Sequence, residues 1–297
     1  MEIANMLTQK SFSQSNEGRL YLVPTPIGNL EDMTFRAINI LKDVDLILAE
    51  DTRNTQKLLN HFEIDTKQMS FHEHNTQQRI PTILKMLEDG QQIAQVSDAG
   101  MPSISDPGQE LVKAAVSQHL NVVPLPGSNA GITALIASGL VPQPFTFYGF
   151  LSRKTKEQKE ELEVLKNNPN TVIFYEAPHR LAKTVKQIGS SFGTTRKMVL
   201  ARELTKRYEE FIRGSIEEVQ QWIAENEVRG EFVVIVEGND HPQVTINNAW
   251  ESMTINEHVQ KIIDDEQVKP TIAIKQVAKL RGLSKQEVYD IYHQLEQ

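Results

Sequence analysis

The 297-residue sequence contains no cysteine. Disulfides, thiolate zinc sites, iron–sulfur clusters and a cysteine nucleophile are thereby excluded, and a reducing compartment fits. None of the fifteen glycines stands two positions from another, so the GxG of the dinucleotide fingerprint is missing, as is GxxxxGK[ST]. Any nucleotide-like ligand must be held in another way. No stretch approaches the ~20 apolar residues of a membrane span, and residues 1–16 lack the basic start and apolar run of a signal peptide. The expectation is a soluble, cytoplasmic protein with a polar, disordered tail over 1–17. Positive charge is also scarce, with 31 Lys and Arg against 39 Asp and Glu, which on its face disfavours a nucleic-acid partner. Regional sums alter that inference. Residues 152–213 hold fourteen basic against eight acidic side chains, and residues 214–265 hold two against eleven.

The length is about twice the ~150 residues of a typical domain, so more than one compact unit is expected. From residue 18 onward, apolar runs at 20–24, 46–49, 69–71, 93–96 and 122–125 alternate with amphipathic stretches at 34–41, 55–62, 77–88 and 109–119. This is the pattern of β-α units on a parallel sheet and marks an α/β domain over 18–127. A second domain, 128–238, carries runs at 145–151, 171–175, 198–201, 209–213 and 232–236 with less regular helical spacing, so a mixed sheet is expected there. Residues 239–256 read as a linker and 257–297 as helices. Within the last segment RGLS breaks the pattern, and Ser284 with Glu287 three residues later has capping-box spacing. Helix-turn-helix spacing results, although a plain helical hairpin satisfies the same pattern.

Four first-domain strands run into turn-forming sequences, PTPIGN, EDTRN, SDAGMP and PGSNA, at the sheet edge where open parallel sheets bind ligands. Each loop alone is also what a rigid structural turn looks like. In the second domain FYEAPHR and LARELTKRYEE crowd carboxylates and cations at strand exits, which suits either a polar site or solvated ion pairs. His72 and His74 have the spacing of two ligands on one strand face, but no third ligand lies near them in sequence, and no metal is expected.

Taken in order, GRLYLVPTPIGNLEDMTFRA, LILAEDTR, SDAGMPSISDPG, PGSNA, FYEAPHR, ARELTKRYEE and RGEFVVIVEG closely resemble the small-subunit rRNA (cytidine-2'-O)-methyltransferases of the tetrapyrrole methylase superfamily. The resemblance spans about residues 18–238, and the helical tail is similar to that family's helix-turn-helix extension. It implies a two-domain α/β fold, a parallel-sheet domain followed by a mixed-sheet domain, with S-adenosylmethionine (SAM) in the cleft between them. It also implies 16S rRNA or the small ribosomal subunit as partner, and a homodimer. Superfamily members often carry GxGPGDP after the first strand. Here only Gly28 of PTPIGNL matches it, and Met101 stands at an acidic position for which Asp98 is the replacement carboxylate. These departures point from tetrapyrrole rings toward rRNA. A tetrapyrrole or protein methyltransferase, and a non-enzymatic RNA-binding or assembly protein, are the other readings.

By this resemblance the SAM-binding set is Pro26, Ile27, Gly28, Asp98, Ala99, Gly100, Met101, Ile104, Ser105, Ser128, Asn129, Ala130, Phe174, Tyr175, Ala201 and Gly230. A hydroxyl acceptor is a weak nucleophile, so a proton acceptor within hydrogen-bond reach is expected, and Glu176, Glu203, His179 and Asp51 are the unranked candidates. Arg153, Lys154, Arg180, Arg202, Lys206 and Arg207 are expected to track phosphates.

Overall fold

The computed structural model describes residues 8–12, 17–104, 108–240 and 253–293. The first sheet contains β1 (Arg19–Leu22), β2 (Leu46–Ala49), β3 (Gln68–Ser70), β4 (Gln92–Val96) and β5 (Asn121–Pro124), all parallel, in the order β3-β2-β4-β1-β5. Because helices cover both faces, the strands are apolar almost throughout rather than alternating. Helices α1 (Phe35–Asp43) and α2 (Thr52–His61) close one face through Leu41 and Leu59 against Ile47 and Ala94. Helices α3 (Thr76–Glu88) and α4 (Gly108–Ser117) close the other through Ile83, Leu87 and Leu111 against Leu20, Leu48 and Ile93. The strand order reverses around β1 and β4, so the crevice of such a sheet falls at their C-terminal ends. The expected run of strands and helices is found in this order.

The tail is anchored where it is described. The Gln9 side-chain amide donates to the Val122 carbonyl and accepts from the Val122 N–H, both at 2.8 Å, so it occupies part of the β5 edge. This corrects the expectation of a wholly disordered 1–17.

Helix α5 (Ala130–Ser138) begins the second half, capped by Asn129, whose Oδ1 accepts from the Ile132 N–H at 2.9 Å. The second sheet, β6 (Phe145–Phe150), β7 (Thr171–Glu176), β8 (Lys197–Arg202), β9 (Glu210–Ser215) and β10 (Phe232–Val236), has the order β6-β7-β10-β8-β9. Only β6 and β7 run parallel, which gives the expected mixed sheet. Helices α6 (Thr155–Leu165), α7 (Pro178–Phe192) and α8 (Ile216–Glu225) bury one face through Leu162, Val185, Ile188 and Val219, while α5 packs on the other through Ala134 and Leu135. A register shift between Phe147 and Gly149, with Gly149 at φ +81°, inserts a bulge into β6. Without it Phe147 and Phe150 would face opposite sides of the sheet. With it, both rings pack edge-on to Tyr175, at 5.2 and 5.5 Å.

The chain divides into two compact units, 1–242 and 243–297. The stretch 239–256 read as a linker falls mostly outside the described residues. The second unit contains α9 (Ile255–Glu266), α10 (Pro270–Arg281) and α11 (Lys285–Tyr292) around Val259, Ile274, Val277 and Val288. Thr254 with Glu257 and Ser284 with Glu287 both form complete capping boxes, and Gly282 supplies the left-handed turn after α10 at φ +66°.

Candidate functional site

The loop after β1 is tied to the loop after β4. Thr25 and Gly100 exchange backbone hydrogen bonds of 3.0 Å, and the Thr25 hydroxyl donates to the Ser97 carbonyl at 3.1 Å. Gly100, at φ +80°, adopts a conformation open to glycine, and a Cβ there would sit 3.4 Å from the Ile27 side chain. On the facing sheet, Tyr175, Val233, Ala201 and Phe211 lie in register across β7, β10, β8 and β9. Between the two layers lies a cavity of about 380 Å³, walled by Ile27, Met101, Ile104 and Ala130 from one side and Phe150, Tyr175, Ala201 and Val233 from the other. The Tyr175 hydroxyl accepts from the Gly131 N–H at 3.1 Å. Burial raises its pKa, and that hydrogen bond offsets the rise only in part, so the phenol stays neutral.

The polar end of the cavity is built around Lys206. Its Nζ lies 3.0 Å from Oε1 of Glu203 and 2.9 Å from Oε2 of Glu231, and Oε1 of Glu203 also accepts from the Glu231 N–H at 2.9 Å. Burial pushes the Glu203 carboxyl upward. The Glu231 amide, Lys206 and Arg202 outweigh it, and the net shift is downward, so Glu203 is anionic at neutral pH. Gly28 brings the first-layer loop onto this corner: a Cβ there would meet Lys206 Cγ at 2.5 Å, and the Asn29 N–H donates to Thr205 Oγ1 at 3.1 Å. With Glu203 and Glu231 against the single Lys206 at this corner, the wall suits a cationic ligand.

Of the expected SAM-binding residues, Ile27, Ala99, Gly100, Met101, Ile104, Asn129, Ala130, Tyr175 and Ala201 line this cavity. Others take different roles. Phe174 is fully buried among α6, α7 and α8, one residue out of phase with Tyr175, so its side chain faces away from the cavity. Asp98 is exposed and turns to the start of α2, accepting from the Asp51 N–H at 3.2 Å and Asn54 Nδ2 at 3.1 Å. It does not supply the carboxylate that Met101 lacks. Gly230 does not line the cavity and instead leaves room for Glu203. Pro26 and Ser128 flank the wall, and Ser105 lies outside the described residues. Sequence reading missed Glu50, Ser97, Phe150, Leu204 and Val233, which reach the cavity through chain crossings and the β6 bulge.

The catalytic candidates separate as well. Glu176 is buried at 3% exposure. Its carboxylate accepts from Thr184 Oγ1 at 2.6 Å and the Ala177 N–H at 2.9 Å and pairs with Arg180 at 3.3 Å, so its oxygens anchor α7. Asp51 caps α2 and is gripped by Arg53 through two side-chain bonds of 3.0 and 2.7 Å, which with the Arg53 amide hold its pKa at about 2. Such a carboxylate is a poor proton acceptor at neutral pH. His179 is exposed and lines neither this cavity nor the groove beside it. Among the basic residues, Arg180 donates to the Leu151 and Ser152 carbonyls besides pairing with Glu176, Arg202 pairs with Glu210, and Lys206 is held by two carboxylates. Their charges are opposed within the chain, which corrects the expectation that they track phosphates. Lys154 is exposed but pairs with Glu157 at 2.8 Å, and Arg153 and Arg207 are exposed.

A second, more open groove of about 950 Å³ lies over the C-terminal edge of the first sheet, at the starts of α2 and α3. Glu50 and Ile104 line both spaces. Among the described residues no three His, Asp or Glu side chains converge as metal ligands.

The model of the tetrapyrrole (corrin/porphyrin) methylases matches residues 19–220. The chain is 54% identical to ribosomal RNA small subunit methyltransferase I of Bacillus subtilis (strain 168), over 96% of this chain and 98% of that protein. Among solved structures, a cobalt precorrin-4 methyltransferase of cobalamin biosynthesis superposes with a TM-score of 0.57 at 16% identity, over 74% of this chain and 94% of its own. Uroporphyrin-III C-methyltransferase from Thermus thermophilus, complexed with S-adenosyl homocysteine, superposes with a TM-score of 0.53 at 19% identity, over 74% and 97%. The two sheets, the cleft between them and this sequence similarity agree: the chain belongs to the tetrapyrrole methylase family, in the branch that holds the ribosomal RNA small subunit methyltransferase I proteins.

Proposed function

We propose that the protein transfers a methyl group from SAM to the 2'-hydroxyl of a cytidine in small-subunit (16S) ribosomal RNA. The observation that carries this reading is coverage. The tetrapyrrole enzymes align with 74% of the chain, whereas the rRNA methyltransferase relative aligns with 96%, including the C-terminal helices. A tetrapyrrole substrate leaves those helices without a counterpart.

The cavity fits SAM on its donor set. Apolar walls from Ile27, Met101, Ala130 and Val233 suit a flat base and a thioether, and the carboxylates of Glu203 and Glu231 suit an ammonium group. When bound, SAM supplies a methyl group activated on a cationic sulfur. Charge is lost along this displacement, so alignment and exclusion of water do more than an added charge. The residues that align are rigid: Thr25 and Gly100 are cross-bonded, Asn129 caps α5 and Tyr175 is wedged between two phenylalanines. Exposed Arg153 and Arg207, with Tyr208 beside Arg207, offer phosphate contacts and a ring for an unstacked base.

The protein acts in the cytoplasm as a homodimer. No helix among the described residues is long and apolar enough to cross a membrane. Ile132 and Ile136 on α5, Val141 after it and Phe145 at the start of β6 expose apolar side chains that suit a second copy. Ribose-methylation mapping of ribosomal RNA by mass spectrometry, in cells with and without the protein, tests the reading. Loss of one cytidine methyl, restored by purified protein and SAM, is expected, and an unchanged map overturns it.

A further inference from the structure

The two cavities meet at Glu50 and Ile104, and a displacement at carbon requires donor and acceptor to approach one point from opposite sides. The smaller, largely apolar space is the donor side. The larger groove is polar and open to solvent, as an acceptor strand requires. Along its wall Asp51 pairs with Arg53, Glu73 lies 3.5 Å from His74, and Glu110 accepts from Gln77 at 2.6 Å. At its wall, His72 has one ring nitrogen without a hydrogen-bond partner among the described residues, the buried Nδ1. The proton position follows from Asn75. Its Oδ1 accepts from the His72 N–H at 3.0 Å, so its Nδ2 faces the His72 Nε2, 3.2 Å away, and donates to it. In the neutral ring Nδ1 therefore carries the hydrogen, a buried donor lacking an acceptor.

We infer that this groove is the acceptor-nucleotide site, with Glu50 as the proton acceptor at its junction with the methyl-donor cavity and His72 Nδ1–H donating to an oxygen of the same nucleotide. The inference rests on the ribose-methylation reading and assigns its acceptor side. In the step, a lone pair of the 2'-oxygen forms the bond to the methyl carbon and the carbon–sulfur pair stays on sulfur. The hydroxyl proton passes to the Glu50 carboxylate. Glu50 is already oriented by the Asp98 N–H, 3.4 Å from its Oε2.

The test uses the full chain with isolated small ribosomal subunits. Glu50→Gln keeps the shape and the Asp98 contact. It is expected to lower the single-turnover rate by about 100-fold and remove the acid limb of the pH–rate profile, with SAM and subunit affinities within about threefold of wild type. Glu50→Asp is expected to restore that limb. His72→Leu is expected to weaken subunit binding at least about fivefold while calorimetric SAM binding is unchanged. A Glu50→Gln rate within about threefold of wild type, or a loss matched by lost SAM affinity, overturns the assignment while wild-type methylation leaves the parent reading intact. Wild type that methylates no subunit overturns both.

Discussion

Gly230 and Glu203 occupy complementary space: a Cβ on Gly230 would sit 2.4 Å from Cγ of Glu203. Gly230 also holds φ +83°, a conformation that costs an alanine about 1 kcal/mol. Gly230→Ala is therefore expected to lower the melting temperature and to expel the Glu203 carboxylate from the cavity. Calorimetric SAM affinity should fall at least about tenfold, the equivalent of one charge-assisted hydrogen bond. The double variant with Glu203→Ala removes the clash, so it should regain melting temperature but not affinity. A Gly230→Ala protein with wild-type affinity would contradict the placement of Glu203.

The Glu203–Lys206 contact predicts a pH dependence of definite sign. The folded-state pKa of Glu203 lies below its ordinary 4.5, so its contribution to stability and to cation binding is fully present above that value and is lost as pH falls through the lowered one. Lys206→Met removes one lowering influence and leaves burial to push upward. The SAM affinity of the variant should begin to fall at a higher pH than that of wild type. Calorimetric titrations between neutral pH and the onset of acid unfolding would show it, and superimposable profiles would refute the coupling.

Much of the fold was legible because its signal is local. Continuous apolar runs such as Ile93–Val96 and the Ser284–Glu287 cap are set by nearest neighbours, and both are found. The cavity was partly legible for the same reason: loops at the C-terminal edge of a parallel sheet must converge. What failed was side-chain direction. Phe174 and Tyr175 are equally plausible in a motif, but pleating sends one to the helical layer and the other to the cleft. Phe150 reaches the cleft only through the bulge at Gly149, which nothing in the periodicity announces. Asp98 and Arg180 look available in sequence, and their partners Asn54 and Glu176 come from other elements or the preceding turn.

His179 offers a simple control on the proton-acceptor candidates. It is exposed and lines neither cavity. His179→Ala should leave the single-turnover rate and its pH profile within about twofold of wild type. A large loss would require the site to extend onto the start of α7.

In the C-terminal unit, Ser284 caps α11 through the Glu287 N–H at 3.1 Å. Ser284→Ala should cost about 1 kcal/mol of local stability. Segment-resolved hydrogen exchange on the full chain should show faster exchange over α11 and none over β10. Equal acceleration in both would mean that the two units open together.

Arg153, Arg207 and Arg180 separate two kinds of basic residue. Arg153 and Arg207 are exposed, and if they neutralise phosphates each carries part of the salt dependence of RNA binding. For a single strand the slope of log affinity against log salt changes by about 0.7 per phosphate contact, so Arg153→Ala and Arg207→Ala should each flatten it by roughly that amount without changing the melting temperature. Arg180 is different because its guanidinium pairs with Glu176, whose side chain is 1% exposed, and donates to two carbonyls. Removing it strands a buried carboxylate, a change that typically costs about 3–5 kcal/mol. Arg180→Ala should therefore lower stability sharply while leaving the slope for the surviving folded protein unchanged. The paired variant Arg180→Ala with Glu176→Gln should recover part of the loss, because it removes the stranded charge without restoring the cation. A salt slope that drops in Arg180→Ala, with stability preserved, would place RNA against α7 and reverse the assignment.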